Sequence, residues 1–393
     1  MAREPALPRS GEAITTDWIQ RALTAGGASG LPAIRDMSVD NIGAGAGLLG
    51  ELLRCRLSWG GEDPTAPASV IVKLPSSDAK SLRMCRRLSL HKREYEFYRH
   101  VGPHAPIRSP VLLYGDFDAR SHRYVLVLED LGHMEAGDQV AGATAEQAIR
   151  AVRSLARLHG HYWNGVDRPP LSGLHDSLSP KRALLVQLVY LANLAPTFDR
   201  FGGYFSDRMR RLAEAYGSRV ADHAAEIAAG PRTVTHGDVR MDNMFFGGGE
   251  DDFAMIDWQV SGLGCGLYDV AYFLGGSVSV DVRRDIERDA LREYCGIVGA
   301  MAAGNISFDA CWRLYRHCIL GRLLVSVFVC GGLDVSDGRS RQIAELGLER
   351  TLTAIEDLDA GDCLPARRSF FSLANGVSAM FRGAKLYKKI ISR

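Results

Sequence analysis

The sequence has no excess of charge of either sign. Among its 393 residues, 47 Lys and Arg face 46 Asp and Glu, so the formal net charge at pH 7 is +1. A nucleic-acid-binding domain is expected to carry a basic excess or a basic stripe. The charge balance therefore gives no support to a nucleic-acid partner, and we expect none.

The sequence also has no arrangement of cysteines that is typical of a zinc site or a disulfide framework. None of its eight cysteines forms a C-x-x-C pair, and no histidine pair flanks them at zinc-ligand spacing. Scattered cysteines in a chain of this length indicate buried free thiols in a reducing compartment.

Long apolar segments are missing as well. The N-terminal stretch MAREPALPRSGE has no apolar core of the kind found in signal peptides. The longest apolar stretch, residues 318–333, is interrupted by Arg322 and by a pair of glycines, and it is too short to span a bilayer. Together with the scattered thiols, these absences favour a cytoplasmic protein.

The composition does provide enough apolar material for a large core. Hydrophobic residues make up 46% of the chain and charged residues 24%, which is ordinary for a globular protein. A chain of this length is sufficient for two domains or lobes. The pattern of elements changes after Gly132, from mostly strands to mostly helices. We therefore predict an α+β fold with a small β-rich N-lobe, residues 1–131, and a large, mostly helical C-lobe, residues 132–393.

Apolar alternation and short apolar runs predict the strands, and apolar spacings of three and four predict the helices. The strands are predicted at residues 37–42, 51–59, 69–74, 110–117 and 123–129. The helices are predicted at residues 78–101, 146–163, 181–194, 206–229, 282–299 and 308–330. One strand pair, around residues 244–257, interrupts the helical part.

The strongest chemical signal is the segment H-G-D-V-R-M-D-N, which contains Asp238 and Asn243 and is followed by Asp257. The apolar runs between Asn243 and Asp257 flank a loop of glycines and acids, and this pattern predicts a hairpin. A hairpin symmetric about residue 250 would place Asn243 opposite Asp257. An amide oxygen and a carboxylate are suitable Mg²⁺ ligands, and Asp238 lies just upstream. Ordinary turn chemistry, with Asp257 at a solvated strand end, is the alternative.

A second signal is Lys73, inside the apolar run V-I-V-K-L. A lysine at the end of a buried strand needs an anionic partner, which ATP phosphates and a helix glutamate would provide. Glu94 on the following predicted helix is the favoured partner. Glu96 competes for this role from a position about 200° away around the helix. The alternative is a lysine on an edge strand, with a side chain that extends into solvent.

A third signal is a glycine-rich stretch in which Gly45, Gly47 and Gly50 match G-x-G-x-x-G. A dinucleotide-binding fingerprint would require a helix to begin here, but a predicted strand follows. The glycines therefore predict a flexible turn between two strands, whose backbone N–H groups can approach phosphates. A glycine-rich hairpin that binds no ligand is the alternative.

A fourth signal is the end of the apolar run V-L-V-L, where Glu129, Asp130 and Leu131 follow. The two predicted lobes join at this point. The backbone N–H and C=O groups of such a hinge could bind an adenine ring.

Taken together, these segments resemble the aminoglycoside phosphotransferase/choline kinase family within the protein-kinase-like fold. Within that family, the similarity is closest to the ecdysteroid-kinase-like (CHK-type) branch. The segments that carry the resemblance are V-I-V-K-L, R-E-Y-E-F-Y, L-V-L-E-D-L, L-A-R-L-H-G-H-Y-W, H-G-D-V-R-M-D-N, I-D-W-Q and Y-D-V-A-Y-F-L. The resemblance implies a bilobal kinase fold and an enzyme that uses ATP and Mg²⁺ to phosphorylate a hydroxyl group of a small molecule.

The resemblance also implies roles for individual residues. Asp238 is implied as the catalytic aspartate, with Asn243 and Asp257 as metal ligands. Lys73 is implied as the phosphate-binding lysine and Glu94 as its helix partner.

Further roles follow from the same resemblance. It implies that residues 129–131 form the adenine hinge and that Asp269 braces the catalytic loop. His159 and His236 are implied to be structural, and we interpret them as satisfied core histidines.

Two alternatives to a small-molecule kinase are a nucleotide-binding pseudokinase scaffold and a protein kinase. A pseudokinase is usually marked by loss of Lys73, Asp238 or Asp257, and all three are present. Gly237 replaces the arginine of the protein-kinase H-R-D motif, Trp258 follows Asp257 where a phenylalanine is typical, and no A-P-E motif follows. These departures favour a small-molecule acceptor.

The acceptor itself is poorly marked in the sequence. The acids at residues 281–293 alternate with arginines, which favours a solvated helix face over a cleft for a polycationic aminoglycoside. A neutral or weakly charged hydroxylated metabolite, of a sterol-like or hydroxyacyl kind, is the prediction. Residues 364–393 contain seven Lys and Arg and no acid. They predict either a basic segment for a membrane surface or protein partner, or a terminal helix docked on the large lobe.

Overall fold

The computed structural model describes most of the chain. The described residues are 5–42, 50–167, 169–171, 174–177, 179–249, 252–302, 304 and 306–366. The chain forms two compact units. The first contains Met1–Ala136, Pro169–Leu174 and Asn243–Ser261, and the second contains Gly137–Arg168, His175–Asp242 and Gly262–Arg393. The division into domains 1–131 and 132–393 stays a prediction.

The described residues form ten β-strands and eleven α-helices. The strands are β1 (Ile34–Asn41), β2 (Gly50–Trp59), β3 (Ser69–Pro75), β4 (Leu112–Asp118), β5 (Arg123–Glu129), β6 (Glu135–Ala136), β7 (Thr233–Thr235), β8 (Met244–Phe246), β9 (Phe253–Met255) and β10 (Gly262–Gly264). The helices are α1 (Thr16–Ala25), α2 (Ala79–Leu88), α3 (Leu90–Glu96), α4 (Ala145–His161), α5 (Pro180–Phe201), α6 (Asp207–Gly217), α7 (Val220–Ala228), α8 (Gly266–Ser277), α9 (Val280–Met301), α10 (Phe308–Gly332) and α11 (Gly338–Asp357).

A five-stranded antiparallel sheet, in the order β1-β2-β3-β5-β4, is the main feature of the first unit. All five predicted strands are present, with ends a few residues from those predicted. Strand β2 shows why these strands could be predicted from the sequence. Leu53, Cys55 and Leu57 are buried, while Arg54 and Arg56 between them are not. Alternation of this kind places one face of a sheet on a core.

Helix α1 covers the buried face of this sheet and was not predicted from the sequence. The Thr15 hydroxyl accepts a hydrogen bond from the Trp18 N–H over 3.1 Å and so begins the helix. Trp18, Ile19 and Leu23 then enter the same apolar cluster as Val72 of β3. The apolar stripe of α1 is therefore part of the core of the first unit.

The prediction of one helix over residues 78–101 is wrong, because the chain breaks at Ser89 into α2 and α3. Ser89 has φ 56° and ψ 32°, in the left-handed region, which a residue other than glycine adopts at a cost of about 1–2 kcal/mol. Burial of Cys85 and Leu90 on either side offsets that cost. Since no glycine or proline marks the position, the sequence carries no local signal for the break. Beyond α3, Phe97–Val101 forms a π-helical turn.

Strands β6, β8 and β9 form a second sheet in the first unit. It contains the hairpin that was predicted around residues 244–257. Phe246 lies opposite Phe253, and Met244 lies opposite Met255. The predicted register, symmetric about residue 250, is therefore wrong by one position. The loop between β8 and β9 has an even number of residues, so the midpoint of the hairpin falls between two residues.

Helices make up most of the second unit, together with the antiparallel pair of β7 and β10. The prediction of one helix over residues 206–229 is wrong, because two helices, α6 and α7, are separated just after Gly217. A Cβ atom at Gly217 would lie 2.8 Å from the Leu191 side chain, so the close approach of α5 favours glycine here. The Gly–Ser pair at this point was an available signal for a break. Helix α11 was not predicted.

The acids and arginines of α9 are partly buried. Arg283 is 1% exposed and donates to both carboxylate oxygens of Glu287 over 2.9 Å, and it also pairs with Asp357 on α11. The prediction of a solvated face is wrong for Arg283 and Glu287, because this buried ion pair packs α9 into the unit. Asp281 and Asp289 do lie at the surface, each beside an arginine.

Helix α10 alone among the described residues has the length and apolar composition needed to cross a membrane. It begins before residues 318–333, the apolar stretch that was predicted to be too short to span a bilayer. However, 56% of its most apolar window is buried inside the protein, and it packs against α5, α8 and α11. A core helix of a folded unit can have the same length and apolar composition, and α10 is packed as a core helix.

All eight cysteines are free, and seven of them are buried. This finding confirms the prediction of buried free thiols. Two other predictions fall outside the described residues: the turn that contains Gly45 and Gly47, and residues 367–393 of the basic C-terminal segment.

Candidate active site

Lys73 on β3 is held between two carboxylates of the first unit. Its Nζ lies 2.7 Å from Glu94 Oε1 and 2.8 Å from Asp257 Oδ1. Strand β3 lies inside the sheet, between β2 and β5, so the alternative of an edge-strand lysine is wrong. The glutamate that contacts Lys73 is Glu94, as predicted, whereas Glu96 lies 3.4 Å from His100.

One ammonium group faces two carboxylates in this cluster. The side chains of Lys73, Asp257 and Glu94 are 14%, 13% and 1% exposed. Burial lowers the pKa of Lys73, but the charges of Asp257 and Glu94 together outweigh burial and hold this pKa above its usual value. Burial raises the pKa of Glu94 above its usual value, against the effect of Lys73. Lys73 is therefore a permanent cation that contacts a carboxylate of α3 and the carboxylate that follows β9.

The loop after Asp257 is attached to α3 by Arg93. The Arg93 Nε donates to the Ser261 carbonyl oxygen over 2.8 Å, and its Nη2 donates to the same oxygen over 2.6 Å and to the Val260 carbonyl. Arg93 is 8% exposed. The neighbours Arg93 and Glu94 thus connect α3 to the loop and to Lys73. Sequence reasoning missed Arg93, because its partners are backbone carbonyls far along the chain.

An aromatic stack supports the same loop. The rings of Trp258 and Phe97 are nearly parallel, with centroids 3.7 Å apart and 5° between their planes. Asp257, just before Trp258, has φ 64° and ψ 59°, a conformation that is strained for a residue other than glycine. Strained residues persist where surrounding contacts over-determine them, and they cluster at functional sites.

Asn243, the other predicted metal ligand, lies just before β8. The Ile256 N–H donates to the Asn243 carbonyl oxygen over 3.0 Å, so Asn243 lies opposite Ile256 rather than Asp257. Carboxylate and amide oxygens are hard ligands that suit Mg²⁺, which commonly takes only one or two protein ligands beside phosphate and water oxygens. No group of three His, Cys, Asp or Glu side chains suited to a metal occurs among the described residues. The metal role of Asn243 and Asp257 stays a prediction.

Gly50 begins β2 opposite Pro75 of β3. A Cβ atom at Gly50 would lie 2.6 Å from the Leu74 carbonyl oxygen, so the neighbouring strand requires a glycine here. This close approach explains why residue 50 is a glycine, and the explanation requires no ligand. Its role at a nucleotide stays a prediction, as do those of Gly45 and Gly47, which lie outside the described residues.

Residues 129–131, the predicted adenine hinge, contain the last residue of β5 and the two that follow it. The Asp130 carboxylate accepts a hydrogen bond from the Ser69 hydroxyl over 2.7 Å. The Glu129 N–H donates to the Val111 carbonyl oxygen over 2.9 Å, so this donor is engaged within the protein. The hinge role stays a prediction.

In the second unit, Asp238 lies in a short loop after β7. The preceding Gly237 has φ 84°, which glycine adopts without strain. The Asp269 carboxylate on α8 accepts hydrogen bonds from the His236 N–H over 2.7 Å and from the Gly237 N–H over 3.0 Å. These two bonds confirm the bracing contact that the resemblance implied.

Two further side chains approach the Asp238 carboxylate, and sequence reasoning assigned neither of them a role. The Tyr272 hydroxyl donates to Asp238 Oδ1 over 2.6 Å. Burial raises the pKa of Tyr272 well above its usual value, and the charge of Asp238 adds to this effect, so the phenol keeps its proton. The Arg240 Nε lies 3.9 Å from Asp238 Oδ2.

His159 and His236 are both fully buried. The His159 ring contacts the Tyr294 hydroxyl at 3.0 Å and Asp269 at 3.4 Å. The His236 Nδ1 accepts the Asp238 N–H over 3.2 Å. Both are satisfied core histidines, as predicted.

The structure thus brings together Lys73, Glu94 and Asp257 in the first unit, and it fixes Asp238 within the second. Proximity of Asp238 to a metal held by Asn243 and Asp257 stays a prediction.

A family model described as phosphotransferase enzyme family matches residues 62–303, more than half of the chain. The matched range includes Lys73, Asp238 and Asp257. The chain belongs to the phosphotransferase enzyme family. A search of curated proteins found no match.

Several solved structures are similar to this phosphotransferase. A choline kinase from Cryptosporidium parvum is 11% identical, with 84% of this chain and 92% of that chain covered and a TM-score of 0.51. A spectinomycin phosphotransferase in complex with ADP and spectinomycin is 15% identical, with coverages of 88% and 99% and a TM-score of 0.46. A choline kinase from Streptococcus pneumoniae is 15% identical, with coverages of 83% and 94% and a TM-score of 0.45.

Identities this low bear on the fold alone. The α+β protein-kinase-like fold, with an antiparallel sheet in the N-terminal region and helices in the C-terminal region, is confirmed. Membership of the CHK-type branch stays a prediction.

Proposed function

We propose that this phosphotransferase moves the γ-phosphoryl group of ATP to a hydroxyl group of a small molecule. The observation that carries the proposal is the position of Lys73, between Glu94 and Asp257 at 2.7 and 2.8 Å. Phosphoryl transfer needs a fixed cation that can pair with phosphate oxygens and a carboxylate that can hold a metal beside them. This cluster supplies both on neighbouring elements of one unit.

Asn243 and Asp257 are the residues that would hold Mg²⁺. The fit rests on their hard oxygen donors, an amide and a carboxylate, which suit Mg²⁺, and on the side chain of Asp257 lying 2.8 Å from the Lys73 ammonium that would pair with phosphate oxygens. A bound Mg²⁺ supplies positive charge that stabilises the negative charge of the phosphate oxygens during transfer. Lys73 acts from the same cluster as a second, permanent cation.

Asp238 is the residue that takes the proton. The acceptor hydroxyl oxygen forms a bond to the γ-phosphorus, the bond between that phosphorus and the bridging oxygen of ADP breaks, and the hydroxyl proton passes to the Asp238 carboxylate. Asp269 holds the loop through the N–H groups of His236 and Gly237. A carboxylate on a fixed loop needs no reorganisation before it meets the acceptor.

The acceptor we propose is neutral or weakly charged. A cationic acceptor would need acids that are not already paired, but Asp281, Glu287 and Asp289 of α9 lie beside arginines. Arg240 lies 3.9 Å from Asp238, and the Arg322 guanidinium lies 4.8 Å from the centroid of the Tyr272 ring, whose hydroxyl donates to Asp238. Positive side chains near the proton acceptor disfavour a polycation there.

The test is a screen for ATP consumption with Mg²⁺ against a panel of small alcohols, with Asp238→Asn as the control. We expect at least one neutral hydroxylated compound to stimulate consumption by the wild-type protein, and we expect the variant to lose that stimulation. An acceptor set restricted to polycations would contradict the proposed acceptor class.

Two other outcomes of the screen separate the rival functions. If no alcohol is phosphorylated while Mg-ATP still raises the melting temperature, the protein is a nucleotide-binding scaffold. Phosphorylation of a protein acceptor in place of an alcohol identifies a protein kinase.

A further inference from the structure

The hydroxyl of Tyr272 lies against the proposed proton acceptor. It donates to Asp238 Oδ1 over 2.6 Å. Hydrogen bonds to an ionised acceptor are shorter and about twice as strong as bonds between neutral groups. The contact is therefore strong enough to decide how the Asp238 carboxylate is oriented.

The Tyr272 ring is itself held in place by Arg322 of α10. The guanidinium lies over the ring, 4.8 Å from its centroid, and the Arg322 Nη1 donates to the Tyr272 carbonyl oxygen over 2.5 Å. The Arg322 Nε donates to the Thr351 hydroxyl of α11 over 2.9 Å. Because Arg322 is only 5% exposed and is tied to two other helices, it gives Tyr272 little freedom to turn away.

Two supports for the catalytic loop come from one face of α8. Asp269 and Tyr272 are three residues apart on this helix, so their side chains are neighbours. Asp269 holds the backbone of the loop through the His236 and Gly237 N–H groups. Tyr272 holds the side chain of Asp238. A single rigid element thus fixes both the position of the loop and the orientation of its carboxylate.

We propose that Tyr272 is a positioning residue for phosphoryl transfer, which acts by holding Asp238 Oδ1 and so aims the carboxylate at the acceptor hydroxyl. The inference rests on the proposed catalytic role of Asp238. A carboxylate that is free to turn about its side-chain bonds loses entropy when it is aligned in every turnover. A fixed hydrogen bond removes that entropic cost. The contribution of Tyr272 therefore lies in kcat and operates through Asp238.

The first test is Tyr272→Phe, which removes the hydroxyl and keeps the ring under Arg322. Turnover of Mg-ATP is measured with the acceptor found in the screen, or with water as the acceptor. We expect kcat to fall by about 10- to 100-fold, as for one charge-assisted hydrogen bond at the reacting group, while the KM for ATP stays within about twofold of wild type.

The matched control is Tyr315→Phe. The Tyr315 hydroxyl also donates to a buried carboxylate, Glu287 Oε2, over 3.3 Å, but this pair lies between α9 and α10. We expect the control to keep the wild-type kcat. Both variants are compared at a temperature at which circular dichroism shows them folded, so that a difference in stability does not enter the rates.

A double-variant cycle separates positioning from a general structural role. If Tyr272 acts through the Asp238 carboxylate, Tyr272→Phe causes no further loss in the Asp238→Asn background. An equal loss of rate in both backgrounds overturns the inference, because it shows that the effect does not pass through Asp238. A wild-type kcat for Tyr272→Phe overturns it as well, and the proposed function then still stands if Asp238→Asn is inactive. Full activity of Asp238→Asn overturns the proposed function itself.

Discussion

At the scale of single residues, Lys73 has a structural effect that can be separated from any role at a nucleotide. It is the ammonium partner of Glu94, whose side chain is 1% exposed. Breaking a buried ion pair by removal of one partner costs several kcal/mol, because it leaves an uncompensated charge in the interior. Exposed ion pairs contribute less than about 1 kcal/mol. Lys73 on β3 and Arg56 on β2, which forms an exposed pair with Asp40, belong to the same five-stranded sheet, so the two kinds of pair can be compared directly.

We predict that Lys73→Met lowers the free energy of unfolding by about 3 kcal/mol, as measured by urea denaturation. The added change Glu94→Gln should recover part of that loss, because it removes the buried charge left behind. The control is Arg56→Met, which breaks the exposed pair with Asp40 and should cost less than about 1 kcal/mol. Equal losses for Lys73→Met and Arg56→Met would show that Lys73 is not held as described.

His223 predicts a pH dependence of stability. Burial, with a smaller effect of His317, lowers the pKa of His223 to about 3, against about 6.5 in an unfolded chain. Between these two values the unfolded state binds more protons than the folded state, so stability falls as the pH is lowered through this range. The loss is about 2 kcal/mol between pH 7 and pH 5.

The measurement is urea denaturation at pH 7 and pH 5 of wild type and His223→Gln. The variant should lose less stability on acidification, because the buried imidazole that resists protonation is gone. The exposed His161 offers the control His161→Gln, which should keep the wild-type difference between the two pH values. An unchanged acid loss in His223→Gln would contradict the account of this histidine.

At the scale of elements, α3 and the loop after Asp257 form one connected structure within the first unit. Glu94 and Arg93, adjacent on α3, contact Lys73 and the loop carbonyls, and Phe97 stacks on Trp258. The predicted metal ligand Asp257 therefore depends on the same helix that contacts Lys73, the predicted phosphate-binding lysine. A shift of α3 would disturb both groups together.

We predict that Arg93→Ala loosens this loop. Loss of the guanidinium leaves the Val260 and Ser261 carbonyls without their donor, which costs about 1–3 kcal/mol. Hydrogen–deuterium exchange of residues 258–261 should become faster, and the free energy of unfolding should fall. Lys92→Ala, an exposed change on the same helix, should leave exchange in the loop unchanged. If exchange at residues 258–261 is the same in both variants, Arg93 does not hold the loop.

The elements also show what sequence patterns can and cannot predict. Strands such as β2 were predicted because burial on one face imposes a period of two. The break at Ser89 was not predicted, because tertiary burial on either side stabilises a conformation for which the local sequence has no signal. The hairpin of β8 and β9 was predicted, but its register depends on how the loop closes, which the apolar pattern alone does not decide.

At the scale of the whole molecule, the candidate site also contains residues that sequence patterns indicated and residues that they did not. Local motifs indicated Lys73, Glu94 and Asp238, because these residues lie in short segments with a characteristic spacing. Tyr272 and Arg93 were missed, because their importance comes from contacts with residues far away in the chain. Family membership and fold followed from the motifs, whereas the supports of each functional group required the structure.

The central claim is that Asp238 accepts the proton while the γ-phosphoryl group of ATP moves to a hydroxyl group. The most direct measurement is phosphorus NMR of Mg-ATP turnover with the acceptor from the screen, for wild type and Asp238→Asn. We predict that wild type produces ADP and an equal amount of acceptor phosphate ester, and that Asp238→Asn still binds Mg-ATP but forms the ester at least about 1,000-fold more slowly. Ester formation by Asp238→Asn at the wild-type rate would contradict the account.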